Sequence, residues 1–192
     1  MSAQSPRKTP LLVIVSGPPA SGKSTLGKQV AAGLGLPYLA KDDLKETLYD
    51  SLGKVERRLS GKLGQASMRL MYMVARQVMN AGIGVVIEAN FYRGISEPDL
   101  SAMLPLDNAV LVQCEAPKEE LVERYEERDK EGERHPVHGD ARKSDELADD
   151  LDRGVYEPLE LGIPIIHVDT SGDVDPSVAE ILSRIRGGSL RE

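Results

Sequence analysis

Residues 11–25 read LLVIVSGPPASGKST. The five apolar residues at 11–15 suit a strand buried on both faces of a sheet. They run into Gly17-x-x-x-x-Gly22-Lys23-Ser24, the full phosphate-binding loop pattern, with Thr25 and a helical stretch behind it. The chemistry explains the spacing. Gly17 and Gly22 let the backbone wrap closely around a phosphate with no Cβ in the way. The loop from Gly17 through Pro18, Pro19, Ala20 and Ser21, with the helix N-terminus at Lys23, Ser24 and Thr25, turns its N–H groups towards the anion. Lys23 is placed to reach the β- and γ-phosphates, and the Ser24 hydroxyl to hold Mg²⁺.

The rest of the chain is consistent with a domain built around that loop. A length of 192 residues suits one α/β domain with a proper core and is short for two. Apolar content is 40% and charged content 29%, ordinary for a soluble globular protein. No apolar run approaches the roughly 20 residues that span a bilayer. The opening MSAQSPRKTP has no apolar signal-peptide core. Cys114 is the single cysteine, which excludes an intrachain disulfide and suits a reducing cytoplasm. The net charge of −7 is unevenly spread. Residues 1–90 carry +6, and residues 118–153 carry −6. An acidic whole argues against broad nucleic-acid coating, while the basic first half can hold an anionic substrate locally.

Apolar runs and helical periodicities alternate along the chain. Strands are expected at 11–15, 37–40, 84–87, 109–114 and 163–168. Helices are expected at 26–34, 44–52, 63–82, within 97–104, from Pro117 to about 129, at 144–153 and at 176–186. Gly33, Gly35 and Gly82 act as stop signals. Met68, Met71, Met73 and Met79 read as core packing at helical spacing. The alternation implies an α/β fold in three layers: a sheet of about five mostly parallel strands, helices on both faces, and a helical lid at about 118–153. Residues 1–10 and 187–192 are expected to be flexible tails around a domain at 11–186. In such a sheet the active groups gather at the carboxyl ends of the strands.

That rule selects a set of candidates. Asp42 and Asp43 follow the second strand, where a carboxylate can take the proton of a hydroxyl attacking a γ-phosphorus. A helix N-cap pair is the alternative, and two adjacent acids allow one to cap while the other works. Asp42 is preferred as base, and Asp43 as cap or substrate contact. Glu88 ends an apolar strand and is placed to meet Mg²⁺ through water or to orient the acceptor. Asn90 and Arg93 follow it as acceptor contacts or as turn residues. Arg124, Arg128 and Arg134 lie on and beyond a long charged helix. They read as lid arginines that close over the phosphates, with ordinary surface pairing of Glu120 and Arg124 as the alternative. His135 and His138 have no Cys or acidic cluster to complete a metal site and read as lid-loop residues, and His167 as structural. Lys54, Arg57, Arg58 and Lys62 form a basic connection after the second helix.

SGPPASGKST, KDDLKETL, VVIEANFYR and a charged helix with spaced arginines and an HP loop together resemble the small P-loop phosphotransferases. These include the adenylate kinase-like fold, the kinase domain of polynucleotide 5′-kinases and chloramphenicol-type phosphotransferases. The resemblance covers about residues 11–172. It implies a P-loop NTPase fold, ATP and Mg²⁺, with the general base at Asp42 and lid arginines at Arg124 and Arg128. It also implies that residues 170–173, including Thr170 and Ser171, pack near adenine. A D-T-N-like strand end in relatives reads Glu88-Ala89-Asn90 here, so its first acid is altered. The resulting expectation is a cytoplasmic kinase that transfers the γ-phosphate of ATP to a hydroxyl of a small molecule of nucleoside, sugar or antibiotic type. The alternatives are a polynucleotide 5′-hydroxyl kinase, a toxin-like kinase of sugar nucleotides, and a nucleotide-binding regulator with no acceptor.

Overall fold

The computed structural model describes residues 9–52, 60–130, 135–138 and 144–187. The outer parts of both expected tails, and Lys54, Arg57, Arg58 and Arg134, lie outside the described residues. Five strands form one sheet: β1 (Leu12–Ser16), β2 (Tyr38–Ala40), β3 (Val85–Glu88), β4 (Ala109–Glu115) and β5 (Ile165–Asp169). Their order is β2-β3-β1-β4-β5, and every pairing is parallel. The helices are α1 (Lys23–Leu34), α2 (Lys41–Leu52), α3 (Ser60–Asn80), α4 (Ser96–Met103), α5 (Lys118–Lys130), α6 (Ser144–Asp152) and α7 (Val178–Gly187). A short 3-10 turn, Pro136–His138, lies between α5 and α6.

The central strand explains the layering. All five residues of β1 are buried, and successive side chains enter opposite faces. Leu12 and Ile14 join the core against α3 and α4, with Met71, Tyr72, Ile87, Phe91 and Leu100. Val13 and Val15 join the core against α1 and α7, with Leu26, Val30, Val112, Ile181 and Ile185. Two helical layers therefore clamp one parallel sheet. A smaller cluster of Ala20, Tyr125, Leu147 and Tyr156 ties α5 and α6 to the phosphate loop. β5 is one of the two edge strands, opposite β2, and its burial alternates, with Ile166 and Val168 inward.

Several boundaries differ from the sequence expectation, for identifiable reasons. α2 starts at Lys41, immediately after β2, so Asp42 and Asp43 occupy the first helical turn rather than a capping position. Acids there still face the positive end of the helix dipole. α3 starts at Ser60, which brings Lys62 out of the expected connection and onto a helix. Met73 is 46% exposed, in contrast to buried Met71 and Met79, because it lies on the outer face of α3. α1 ends where Gly35 turns left-handed at φ 67°. Among the described residues no helix is long and apolar enough to cross a membrane.

Candidate active site

The phosphate loop links the end of β1 to α1, and its geometry depends on glycine at one position in particular. Gly17 has φ +151°, and a Cβ there would lie 2.6 Å from the Cys114 carbonyl oxygen and 2.7 Å from Ser21 Oγ. Only a residue without a side chain lets the loop pass so close to the end of β4. Lys23 is buried, and its Nζ donates to the Pro18 carbonyl at 3.2 Å, so the ammonium spans the concave side of the loop. The Ser21 hydroxyl is buried without a partner. Burial pushes the Cys114 thiol up to about 12, which makes it a packing residue rather than a nucleophile.

Glu88 ends β3 and is almost fully buried. Its Oε2 accepts two hydroxyl donors, Ser24 Oγ at 3.0 Å and Tyr38 Oη at 2.9 Å. Tyr38 reaches it by crossing α1 at Gly27, where a Cβ would stand 2.9 Å from the Tyr38 ring. Burial, followed by the Glu88 carboxylate, raises the Tyr38 phenol far above its ordinary value, so it remains a donor. The serine hydroxyl and the carboxylate form a pair of hard oxygen ligands, the donor chemistry that suits Mg²⁺. No group of three or more His, Cys, Asp or Glu residues able to hold a metal occurs among the described residues.

A cavity of about 1060 Å³ opens from the loop and is lined by Lys23, Ser24, Asp42, Asp43, Asn90 and Arg128, among others. Asp42 pairs with Lys41 Nζ at 2.7 Å. Burial would raise the Asp42 carboxyl, but Lys41, His138 and Lys23 outweigh it and hold the group below the usual carboxylate range. Asn90 Oδ1 is buried without a partner. The 3-10 turn seals one wall. Lys45 Nζ donates to Ser60 Oγ at 3.0 Å and to the Val137 carbonyl at 3.4 Å, and Ser60 Oγ donates to the same carbonyl at 3.0 Å. His138 Nε2 lies 3.0 Å from Glu46 Oε1, and His135 Nε2 lies 3.0 Å from Asp50 Oδ1.

The remaining sequence candidates separate. Arg128 lines the cavity, whereas Arg124 faces the loop after β5. Arg124 Nη2 donates to Glu120 Oε1 at 2.5 Å and to the Thr170 carbonyl at 2.7 Å, with the Ser171 carbonyl at 3.5 Å. The helical pairing of Glu120 and Arg124 is thus present together with a tether to the loop. Thr170 is fastened to the Glu115 carbonyl through its N–H at 2.8 Å and its hydroxyl at 2.9 Å, and it lies beside Gly22. Arg93 is exposed and paired with Glu157 and Glu160. His167 is exposed and lies 2.9 Å from Glu115.

A family model described as an AAA domain, AAA_33, matches residues 12–153. The chain belongs to this family. A cytidylate kinase of Ignicoccus hospitalis is 31% identical over 121 residues, which is 62% of this chain and 64% of that protein. The match thus spans just under two thirds of the relative's length. Among solved structures, a candidate kinase from Chloroflexus aurantiacus is 33% identical, with a TM-score of 0.83 over 96% of this chain and 100% of that one. A gluconokinase from Sinorhizobium meliloti is 19% identical, with a TM-score of 0.56 over 95% and 93% of the two chains, and shares the fold. The AAA_33 chain is a P-loop protein with the architecture of the small kinases.

Four residues at the site were not singled out from the sequence. Tyr38 meets Glu88, Lys45 holds the 3-10 turn, and Tyr72 and Asp99 line the cavity. The sequence carries no local signal for them, because each acts through contacts with residues 15 to 92 positions away or through the cavity.

Proposed function

We propose that this chain is an ATP- and Mg²⁺-dependent kinase that transfers the γ-phosphate to a hydroxyl of a small molecule. The observation that carries the reading is a single cavity that joins Lys23 and Ser24 of the phosphate loop to Asp42 and Asp43 on α2. Its volume, about 1060 Å³, matches a small acceptor lying beside the end of a nucleotide.

Each residue has a part. The loop amides and Lys23 bind the phosphates of ATP and neutralise charge that grows on the leaving oxygen. Ser24 would hold Mg²⁺ and Glu88 would hold it through water, and the ion, when bound, would supply positive charge to the phosphates. The acceptor oxygen bonds to the γ-phosphorus as the bond to the β-bridging oxygen breaks. The hydroxyl proton passes to the Asp42 carboxylate, which the Lys41 charge holds ionised, as the bond to phosphorus forms. Arg128, on the cavity wall, neutralises the transferring group. Arg124 and Thr170 shape the pocket for the base, a role suited to their mutual bond beside Gly22.

A phosphate acceptor is the second reading. It draws on the name of the Ignicoccus relative and on Arg69 and Arg128 in the cavity wall. Transfer of labelled γ-phosphate from ATP to sugars, nucleosides, phenicol-type alcohols and nucleoside monophosphates decides between the two. Label on a carbon-bound hydroxyl is expected. Label on a nucleotide phosphate would replace this reading with the second, and tight ATP binding with no transfer to any compound would favour the regulator.

A further inference from the structure

Side chains from three elements meet at one oxygen atom behind the phosphate loop. Ser24 on α1 and Tyr38 on β2 both direct their hydroxyls at Glu88 Oε2 on β3, at 3.0 and 2.9 Å. A carboxylate has no proton to give, so both hydroxyls donate. The three differ in what can reach them. Ser24 is exposed in the cavity wall. Glu88 is only 3% exposed, Tyr38 is half-buried, and neither lines the cavity.

The sheet dictates this meeting. In the parallel ladder of β2 and β3, Tyr38 stands opposite Val86 and Ala40 opposite Glu88. Side chains alternate across a strand, so Tyr38 and Glu88, two positions apart, emerge on the same face. That face carries α1, where Tyr38 and Val86 pack with Leu26 and Val30. A slip of β2 by one residue would send Tyr38 to the other face. The ring then has to pass α1, and α1 has glycine at the crossing: a Cβ on Gly27 would stand 2.9 Å from Tyr38 Cε2. An interior glycine weakens a helix, and here it removes an atom that would block the ring.

The donor pattern has a chemical consequence at the exposed end. A serine hydroxyl carries one proton and two lone pairs. With its proton committed to Glu88, Ser24 keeps both lone pairs for a cation on the cavity side. That arrangement lasts only while the Glu88 carboxylate stays where it is. Held by Ser24 alone, the carboxylate could turn about its side-chain torsions and take the serine hydroxyl with it. Tyr38 supplies a second point of attachment on the same oxygen, from a ring fixed against α1. Standing behind the cavity wall, Tyr38 can act on a cation only through the other two.

We infer that Tyr38 is a positioning residue of the Mg²⁺ site, holding Glu88 so that Ser24 presents its lone pairs to the cation. This rests on the kinase reading for the metal at Ser24, but its test is metal binding rather than turnover. The full chain, in excess over a non-hydrolysable ATP analogue, is titrated with Mn²⁺ as a paramagnetic stand-in for Mg²⁺, and free ion is counted by electron paramagnetic resonance. Calorimetry gives the affinity for the analogue in EDTA, and thermal midpoints report that each variant is folded at the temperature used.

Tyr38→Phe is expected to weaken Mn²⁺ binding about tenfold, the scale on which residues behind a metal ligand act, and to leave the metal-free affinity for the analogue unchanged. In a Glu88→Ala background the same substitution is expected to add no further loss, because Tyr38 acts through that carboxylate. Mn²⁺ binding by Tyr38→Phe equal to that of the parent, or a full further loss in the Glu88→Ala background, would overturn the inference. Ser24→Ala separates it from the reading on which it rests. If Ser24→Ala binds Mn²⁺ as the parent does, the metal assignment has failed and this inference falls with it. If Ser24→Ala loses the ion while Tyr38→Phe keeps it, only the role of Tyr38 has failed. A Tyr38-dependent metal site in a chain that passes phosphate to no acceptor would uphold the positioning role and remove the kinase reading instead.

Discussion

Replacing Tyr38 by Phe removes a single oxygen, and the structure sets what that should cost. The ring stays packed over Gly27, so no cavity forms. The loss is one of two hydroxyl donors to Glu88 Oε2, a carboxylate only 3% exposed. A hydrogen bond to a charged group contributes about 1.5–3 kcal/mol, and Tyr38, being half-buried, should fall near the lower value of about 1.5 kcal/mol. For a domain of this size that lowers the thermal midpoint by roughly 3–6 °C. Calorimetry and urea unfolding of parent, Tyr38→Phe, Glu88→Gln and the double variant close a cycle, and the coupling between the two sites should be about 1 kcal/mol or more. The pH dependence has a defined sign. The folded phenol titrates above its unfolded value of about 10, so the stabilisation is fully present below pH 10 and is lost as pH rises beyond it. A Tyr38→Phe midpoint equal to that of the parent at pH 7, or strict additivity with Glu88→Gln, would refute the claim that this contact holds Glu88 in place.

Lys23→Ala should weaken ATP binding at least tenfold in calorimetry, whereas Asp42→Asn should leave ATP affinity within about twofold and slow label transfer 10²-fold or more, the scale of general-base assistance. Gly17→Ala forces a methyl to within 2.6 Å of the Cys114 carbonyl, so it should destabilise the fold by about 1–3 kcal/mol in urea unfolding and reduce nucleotide binding together with it. Burial, followed by the Lys45 and Lys41 charges, keeps His138 below its ordinary value against the opposing pull of Asp42 and Glu46. The unfolded chain therefore binds the proton more readily, stability should decline as pH falls below about 6.5, and His138→Gln should flatten that slope in thermal scans from pH 7.5 to 5.

The sequence was most legible where chemistry and backbone are tied to adjacent residues. The apolar run into Gly17-x-x-x-x-Gly22-Lys23-Ser24 located β1, the loop and α1, and the alternation of elements implied the parallel sheet that is present. Asp42 and Asp43 were assigned to the correct end of β2 but the wrong local structure, because nothing in KDDLKETL distinguishes a capping pair from a first helical turn. Arg124 and Arg128 look equivalent in sequence, four residues apart on one helix. In space one is tied to Thr170 and the other lines the cavity, a difference that depends on how α5 packs against the loop after β5. Tyr38 and Tyr72 were not recognisable for the same reason. A tyrosine carries no sequence mark of whether its hydroxyl will meet an acid 50 residues away or lie buried with no partner among the described residues.

The pairing of β2 with β3 places Ala40 opposite Glu88, and α2 begins at the very next residue. Glu88, proposed to meet the metal, and Asp42, proposed to meet the acceptor, therefore hang from the same end of one hydrogen-bonded ladder, with no loop between strand and helix to absorb movement. The spacing between the two halves of the reaction is set by the sheet as by a ruler. Adaptation to a different acceptor would then fall to α3, α4 and the turn at Val137, where substitutions can reshape one wall without altering the distance across which phosphate travels.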